Sequence, residues 1–302
     1  MCVDTPAAEV DIDASLVTRL IQAQHPDLDG PLCLVANGWD NVIYRLGADL
    51  CVRLPRRAVA ADLIHNEQRW LPTLAARAGA FVPSPVRAGV PGEGYPWPWS
   101  ICPWFEGRLA ADVPPAERVA AAADLAEFLA RLHAPAPADA PHNPWRGVPL
   151  AARGAAVRER LAGNPDLLAL WERLVSAPVW GGPPYWLHGD LHPANLLLAP
   201  SGPARLAAVV DFGDLTSGDP ASDLSTAWLT FDAAGRAAFR DRYDALTGTG
   251  ADTWVRARGW ALNLATAIGA FSDDNPRLAA ISAHALAEVR REPSTYPPPA
   301  PH

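Results

Sequence analysis

His188-Gly189-Asp190-Leu191-His192-Pro193-Ala194-Asn195 and, further along, Val209-Val210-Asp211-Phe212-Gly213-Asp214 decide how this chain is read. An Asp and an Asn stand five residues apart on a loop interrupted by Pro193, and a second Asp closes a β-branched apolar run. Those are the oxygen-bearing groups that transfer of a phosphoryl group requires. Asp190 would accept or orient a hydroxyl proton, and Asn195 and Asp211 would hold Mg²⁺ against nucleotide phosphates. Around the loop, Tyr185–His188 and Leu196–Ala199 are expected to pair as strands, and Ser201-Gly202 turns into a third, Arg205–Asp211.

Upstream, residues 11–25 read as an amphipathic helix capped by Asp and stopped at Pro26. Strands follow at Leu32–Ala36, Asn41–Leu46 and Leu50–Leu54, joined by turns at Asn37-Gly38-Trp39-Asp40 and Gly47-Ala48-Asp49. Residues 58–78 have the apolar spacing of a helix, which Pro72 should perturb. The Pro-broken stretch Phe81–Trp104 is expected to add two strands. Beyond Trp104 the chain turns helical, over 116–133, 151–175 and three or four pieces in 220–291, with a Pro-rich tail at 293–302. The class is α+β, with a nucleotide-binding strand lobe at 1–103 and a helical lobe at 104–302 that carries the loop and an acceptor site.

The chain has 302 residues and a net charge of −8, which argues against a nucleic-acid partner. No apolar run approaches a membrane span, and Met1–Pro6 has neither the basic region nor the apolar core of a secretory signal, so a cytoplasmic protein is expected. All 25 basic residues are Arg. The absence of Lys excludes the P-loop pattern. Cys2, Cys33, Cys51 and Cys102 are scattered, without the spacing of a zinc site. A monomer or weak dimer is expected.

Without Lys, a phosphate-binding cation on the third strand must be Arg, and Arg53 is placed for it. Glu67 on the following helix is its natural partner, and Arg56 or Arg57 could substitute for Arg53. Asn37 and Gly38 form a corner whose backbone N–H groups are candidates for phosphate contacts. Ser100–Phe105 runs through the lobe junction, where backbone groups at Ser100, Cys102 and Trp104 are candidates to read a purine edge. His188 is expected to brace the loop by hydrogen bonds. A His188–His192 metal pair would need a helix, which Pro193 opposes.

These residues resemble the aminoglycoside phosphotransferase family of small-molecule and antibiotic kinases, related to protein kinases and choline kinase. Gly189 stands where protein kinases usually carry Arg. The resemblance extends to Gly218-Asp219-Pro220-Ala221-Ser222-Asp223-Leu224 and the helix end Leu129–His133, and covers roughly residues 30–290. It implies a bilobal protein-kinase-like fold, ATP or GTP with Mg²⁺, catalysis by Asp190, and metal ligation by Asn195 and Asp211. It also implies that Asp219 steadies the loop. Arg53 departs from the Lys usual in the family.

The expected function is transfer of the γ-phosphate of ATP or GTP to a hydroxyl of a small molecule such as an aminoglycoside or macrolide antibiotic. A cationic acceptor would want carboxylates facing Asp190, with Asp214, Asp223, Asp232, Asp273 and Asp274 as candidates. A bulky neutral acceptor would want an apolar wall, which Trp228, Trp254, Trp260 and Phe271 could furnish, although aromatics at helical spacing are core by default. The rival reading is a catalytically weak, nucleotide-binding pseudokinase with a regulatory role. Arg53 supports it; Asp190, Asn195 and Asp211, all present, oppose it.

Overall fold

The computed structural model describes residues 7–79, 81–272 and 274–291. The chain divides into two compact units, Met1–Glu106 and Gly107–His302.

The first unit opens with α1 (Ala14–Gln24), whose first turn is capped by the Asp13 carboxylate accepting the Leu16 N–H at 2.7 Å. Leu16, Val17, Leu20 and Ile21 form its buried stripe. An antiparallel sheet follows, built from β1 (Leu32–Asn37), β2 (Asn41–Leu46), β3 (Leu50–Pro55), β4 (Arg87–Gly89) and β5 (Trp99–Pro103) in the order β1-β2-β3-β5-β4. Val42, Tyr44, Leu46, Val52 and Leu54 point to one face and join the α1 stripe in a single apolar core. The period of two then sends Arg53 to the opposite face, where α2 (Ala58–Ala78) lies.

Pro72 does not interrupt α2, which continues for 21 residues. It sits on the exposed side, while Ile64, Leu71 and Leu74 bury the other. Packing of that stripe outweighs the missing backbone donor.

The second unit contains β6 (Arg108–Leu109), α3 (Ala122–Leu132), α4 (Gly154–Arg160), α5 (Pro165–Val175), β7 (Tyr185–Leu187), β8 (Leu196–Leu198), β9 (Leu206–Val209) and β10 (Thr216–Gly218). Five helices follow: α6 (Ala221–Leu224), α7 (Thr226–Thr230), α8 (Ala233–Thr247), α9 (Ala251–Ala270) and α10 (Pro276–Arg291). The expected helix over 116–133 begins as a 3-10 segment, Pro115–Ala121. The stretch 151–175 breaks at Asn164-Pro165, where Asn164 caps α5. α9 is buried along Trp254–Ala265 and packs against α5, α6 and α10.

The expected pairing of the two strands flanking the Asp190 loop does not occur. β7 pairs with β10, and β8 pairs with β9 and β6. The loop therefore bridges two separate small sheets. Gly189, at φ +89°, turns the chain away from the β7 ladder, and the next backbone donors are taken by side chains.

Candidate active site

β7 delivers His188 into the interior, and the backbone N–H groups of His188 and Gly189 donate to the two oxygens of Asp223 at 2.7 and 3.0 Å. Only glycine fits at 189. A Cβ there would stand 2.1 Å from the Asp214 carbonyl oxygen, and the backbone conformation is left-handed. His188 Nε2–H donates to the Val210 carbonyl at 2.9 Å, its Nδ1 accepts the Asp190 N–H at 3.2 Å, and its ring packs on Phe212. Both ring nitrogens of His188 are therefore engaged with backbone groups.

The turn Pro193–Asn195 begins with His192 Nδ1 accepting the Ala194 N–H. Asn195 is buried, and its Nδ2 donates to the Asp190 carbonyl at 2.9 Å. Its own carbonyl accepts the Val210 N–H at 2.9 Å, and Leu196 pairs with Val209. Asp211 therefore emerges beside Asn195, exposed and with φ +62°, a conformation unusual for a non-glycine residue and common where geometry serves a site. Asp190, Asn195 and Asp211 are thus brought together by one hairpin and one loop.

Arg146 and His192 flank Asp190. Arg146 Nη2 lies 3.0 Å from its Oδ1, and His192 Nε2 lies 3.4 Å from its Oδ2. Burial pushes the Asp190 carboxyl up, but His192 and Arg146 together hold it well below the usual carboxylate range. Burial pushes His192 down, and the charge of Asp190 carries it above its ordinary value. Asp214 accepts a hydrogen bond from Asn143 Nδ2 at 2.6 Å and lies 4.0 Å from Arg146. Its carboxyl is raised by burial, against the pull of Arg146. No spacing in the sequence ties Asn143-Pro144-Trp145-Arg146 to this loop, and nothing short of the fold could have found it.

The remaining carboxylates are dispersed. Asp219 does not reach the loop: it is buried against Arg256, with Nε 2.7 Å away, and accepts the Ala221 N–H. The carboxylate that holds the loop belongs to Asp223, 1% exposed, which also lies 3.2 Å from His133 Nε2. It is therefore unavailable to a ligand. Asp232 caps α8, Asp274 is exposed, and Asp273 lies outside the described residues. Trp228 is fully buried against Trp254 and belongs to the core, so it forms no exposed wall.

In the first unit, Arg53 Nη1 lies 2.5 Å from Glu67 Oε2, with both side chains buried. Arg56 instead donates to the Gly38 carbonyl at 2.6 Å, and Arg57 pairs with Asp40 at 2.6 Å. Both brace the exposed corner of Asn37 and Gly38. Ser100 is buried in the sheet, paired on one side with Arg53 and on the other with Ala88, so its backbone is flanked by strands on both edges. Cys102 is buried opposite Cys51, and the β4 ladder ends before it. Trp104 N–H donates to the Asp49 carbonyl, and its ring lies under Arg45.

Among the described residues no group of three His, Cys, Asp or Glu side chains could hold a metal ion alone. The Asn195 amide oxygen and the Asp211 carboxylate are hard donors of the kind Mg²⁺ takes while keeping waters and phosphate oxygens, so the pair fits that ion with a nucleotide. No helix among the described residues is long and apolar enough to cross a membrane.

The fold is shared with solved phosphotransferases. The chain superposes on the GDP and kanamycin complex of APH(2")-IIia with a TM-score of 0.66, at 20% identity over 91% of this chain and 99% of that one. Macrolide 2'-phosphotransferase type I matches at 0.61, with 22% identity over 91% and 98% of the chains. The apoenzyme of macrolide 2'-phosphotransferase MphH from Brachybacterium faecium matches at 0.60, with 22% identity over 94% and 99%. No curated protein matches the chain in sequence. The family model for the phosphotransferase enzyme family matches residues 32–260, and the chain belongs to that family. Its fold is the kinase-like one expected from the resemblance.

Proposed function

We propose that this protein transfers the γ-phosphate of ATP or GTP, with Mg²⁺, to a hydroxyl of a small-molecule acceptor of the antibiotic class. The observation that carries this reading is the shared scaffold of Asp190, Asn195 and Asp211: one hydrogen bond from Asn195 to the Asp190 carbonyl, and one from Val210 to the Asn195 carbonyl. Asp190 accepts the acceptor hydroxyl's hydrogen bond and aims its oxygen at the γ-phosphorus. Because its carboxyl is held so low, it is a weak base, and orientation outweighs proton abstraction in a loose transition state. Asn195 donates its amide nitrogen to the loop, which supports Oδ1 as the atom offered to the cation. Asp211 supplies the second oxygen. Mg²⁺, when bound, neutralises charge on the phosphate oxygens. Arg53, held by Glu67, is the first unit's candidate cation for a phosphate group.

For the acceptor, Arg146 weighs against a polycation. Its guanidinium sets positive charge on the carboxylate that would otherwise attract ammonium groups, and of the expected carboxylates described here only Asp214 stands beside it. A weakly charged acceptor of the macrolide kind fits better than kanamycin. The test incubates the protein with Mg·ATP or Mg·GTP and a panel holding kanamycin, gentamicin and erythromycin, read by intact mass. Phosphorylated erythromycin is the expected product. If no member of a broad hydroxylated panel gains phosphate, the function as stated is wrong; if kanamycin is preferred, the acceptor reading is wrong.

A further inference from the structure

Arg118 is 5% exposed, yet no carboxylate is paired with it among the described residues. Its Nε donates to the Val113 carbonyl at 2.7 Å and its Nη1 to the Thr230 carbonyl at 2.8 Å. Carbonyl oxygens satisfy hydrogen bonds, but they do not neutralise a full charge. Burial accordingly pushes the guanidinium down to about 10. A buried cation left uncompensated is strongly unfavourable, so its retention calls for a second role.

Arg118 lines a cavity of about 320 Å³, within the range of small-molecule sites. The other ionisable groups around it are already balanced. Asp112 is held bidentately by Arg277 at 2.8 and 3.0 Å. His284 Nε2–H donates to the Phe231 carbonyl at 3.1 Å, and burial lowers the pKa of its ring, favouring the neutral form. Glu288, which also acts on His284, is paired with Arg236 at 2.8 Å and with the exposed Arg291. Among the described residues that line the cavity, Arg118 is the charged group with no carboxylate paired to it. The walls are apolar, formed largely by Val113, Leu229 and Ile281. Leu229 and Ile281 belong to the cluster on which Ala194 packs, so the wall is continuous with the turn that carries Asn195.

We propose that this cavity is a binding site for a small monocarboxylate with an apolar stem. The carboxylate takes the Nη2 edge of Arg118, to which no acceptor is bonded among the described residues, and the stem lies against Leu229 and Ile281. The planar guanidinium suits the two oxygens of a carboxylate, and a single net charge calls for a monoanion rather than a phosphate dianion. The site is distinct from the Asp190 loop and does not depend on the proposed transfer activity.

The test titrates the full chain, labelled at histidine, with sodium benzoate, and with benzamide as a neutral isostere, following the His284 ring signals by NMR. A saturable benzoate shift, at least ~10-fold tighter than benzamide, is expected. Arg118→Met should weaken benzoate at least ~10-fold and leave benzamide unchanged. Absence of a saturable shift up to about 10 mM would overturn the site, as would equal affinity for the two probes. That comparison uses the unaltered chain, so the proposal stays testable even if the variant fails to fold.

Discussion

The guanidinium of Arg146 lies 3.0 Å from the carboxylate of Asp190, across 44 positions of sequence. It joins the loop between α3 and α4 to the loop after β7, and with His192 it holds down the carboxyl of the residue proposed to orient the acceptor. Burial alone would raise that carboxyl, so its lowered value depends on His192 and Arg146.

Removing Arg146 should be visible in the pH profile. Asp190 is ionised above its depressed value, so the unaltered enzyme keeps its active form to low pH. In Arg146→Gln the carboxyl rises part of the way, because His192 still holds it down, and the acid limb of kcat/KM moves to higher pH. Profiles carried down to about pH 3 check this. Superimposable limbs would show that Arg146 does not govern Asp190.

Asp190→Asn keeps the size and hydrogen-bonding reach of the side chain but loses its charge. We expect kcat to fall at least ~10²-fold while nucleotide affinity changes by less than about threefold. Equal losses in both would mean that Asp190 acts on the nucleotide instead of the acceptor.

Asp223 and Asp219 are both buried, but they hold different things. Asp223 takes two loop N–H groups, whereas Asp219 takes Arg256. Asp223→Asn should therefore lower kcat far more than Asp219→Asn, although each destabilises by roughly 2–4 kcal/mol. Burial raises the Asp223 carboxyl, and His133, His188 and the Gly189 N–H lower it further than that. A depressed carboxylate gives stability that is present above its unfolded value, near 3.9, and lost as pH falls through the lowered one. Acid unfolding monitored by circular dichroism should show this dependence in the native chain and a weaker one in Asp223→Asn.

Arg53→Ala truncates a buried ion pair and should destabilise by about 3–5 kcal/mol, measured by urea unfolding, while weakening nucleotide binding. Removing Glu67 as well should restore part of the stability without restoring affinity. Recovery of both would assign Arg53 a structural role alone.

Local signals made much of this molecule legible. The turn at Asn37-Gly38, the alternation in β2 and the apolar spacing of α2 each lie within one short window, and the Asp190–Asn195 spacing does too. What escaped depends on distant partners. The strand β7 carries no mark of its pairing with β10, thirty residues on, rather than with its neighbour β8. Asp219 and Asp223 stand four residues apart in one motif, and only the path of α6 decides which one turns to His188. Trp228 is a core aromatic, as its helical spacing suggests, and residue type alone cannot put it in a binding wall. Arg146 sits in a Pro-rich stretch without periodicity, where no pattern relates it to Asp190.

Calorimetric titration of ATP and GTP, with and without Mg²⁺, into the native protein and Asp211→Ala tests whether Asn195 and Asp211 hold one Mg²⁺–nucleotide. If Asn195 and Asp211 share one Mg²⁺–nucleotide, at least one nucleotide binds with Mg²⁺-dependent affinity, and Asp211→Ala weakens it by about tenfold or more. Affinity indifferent both to Mg²⁺ and to the substitution would contradict the account.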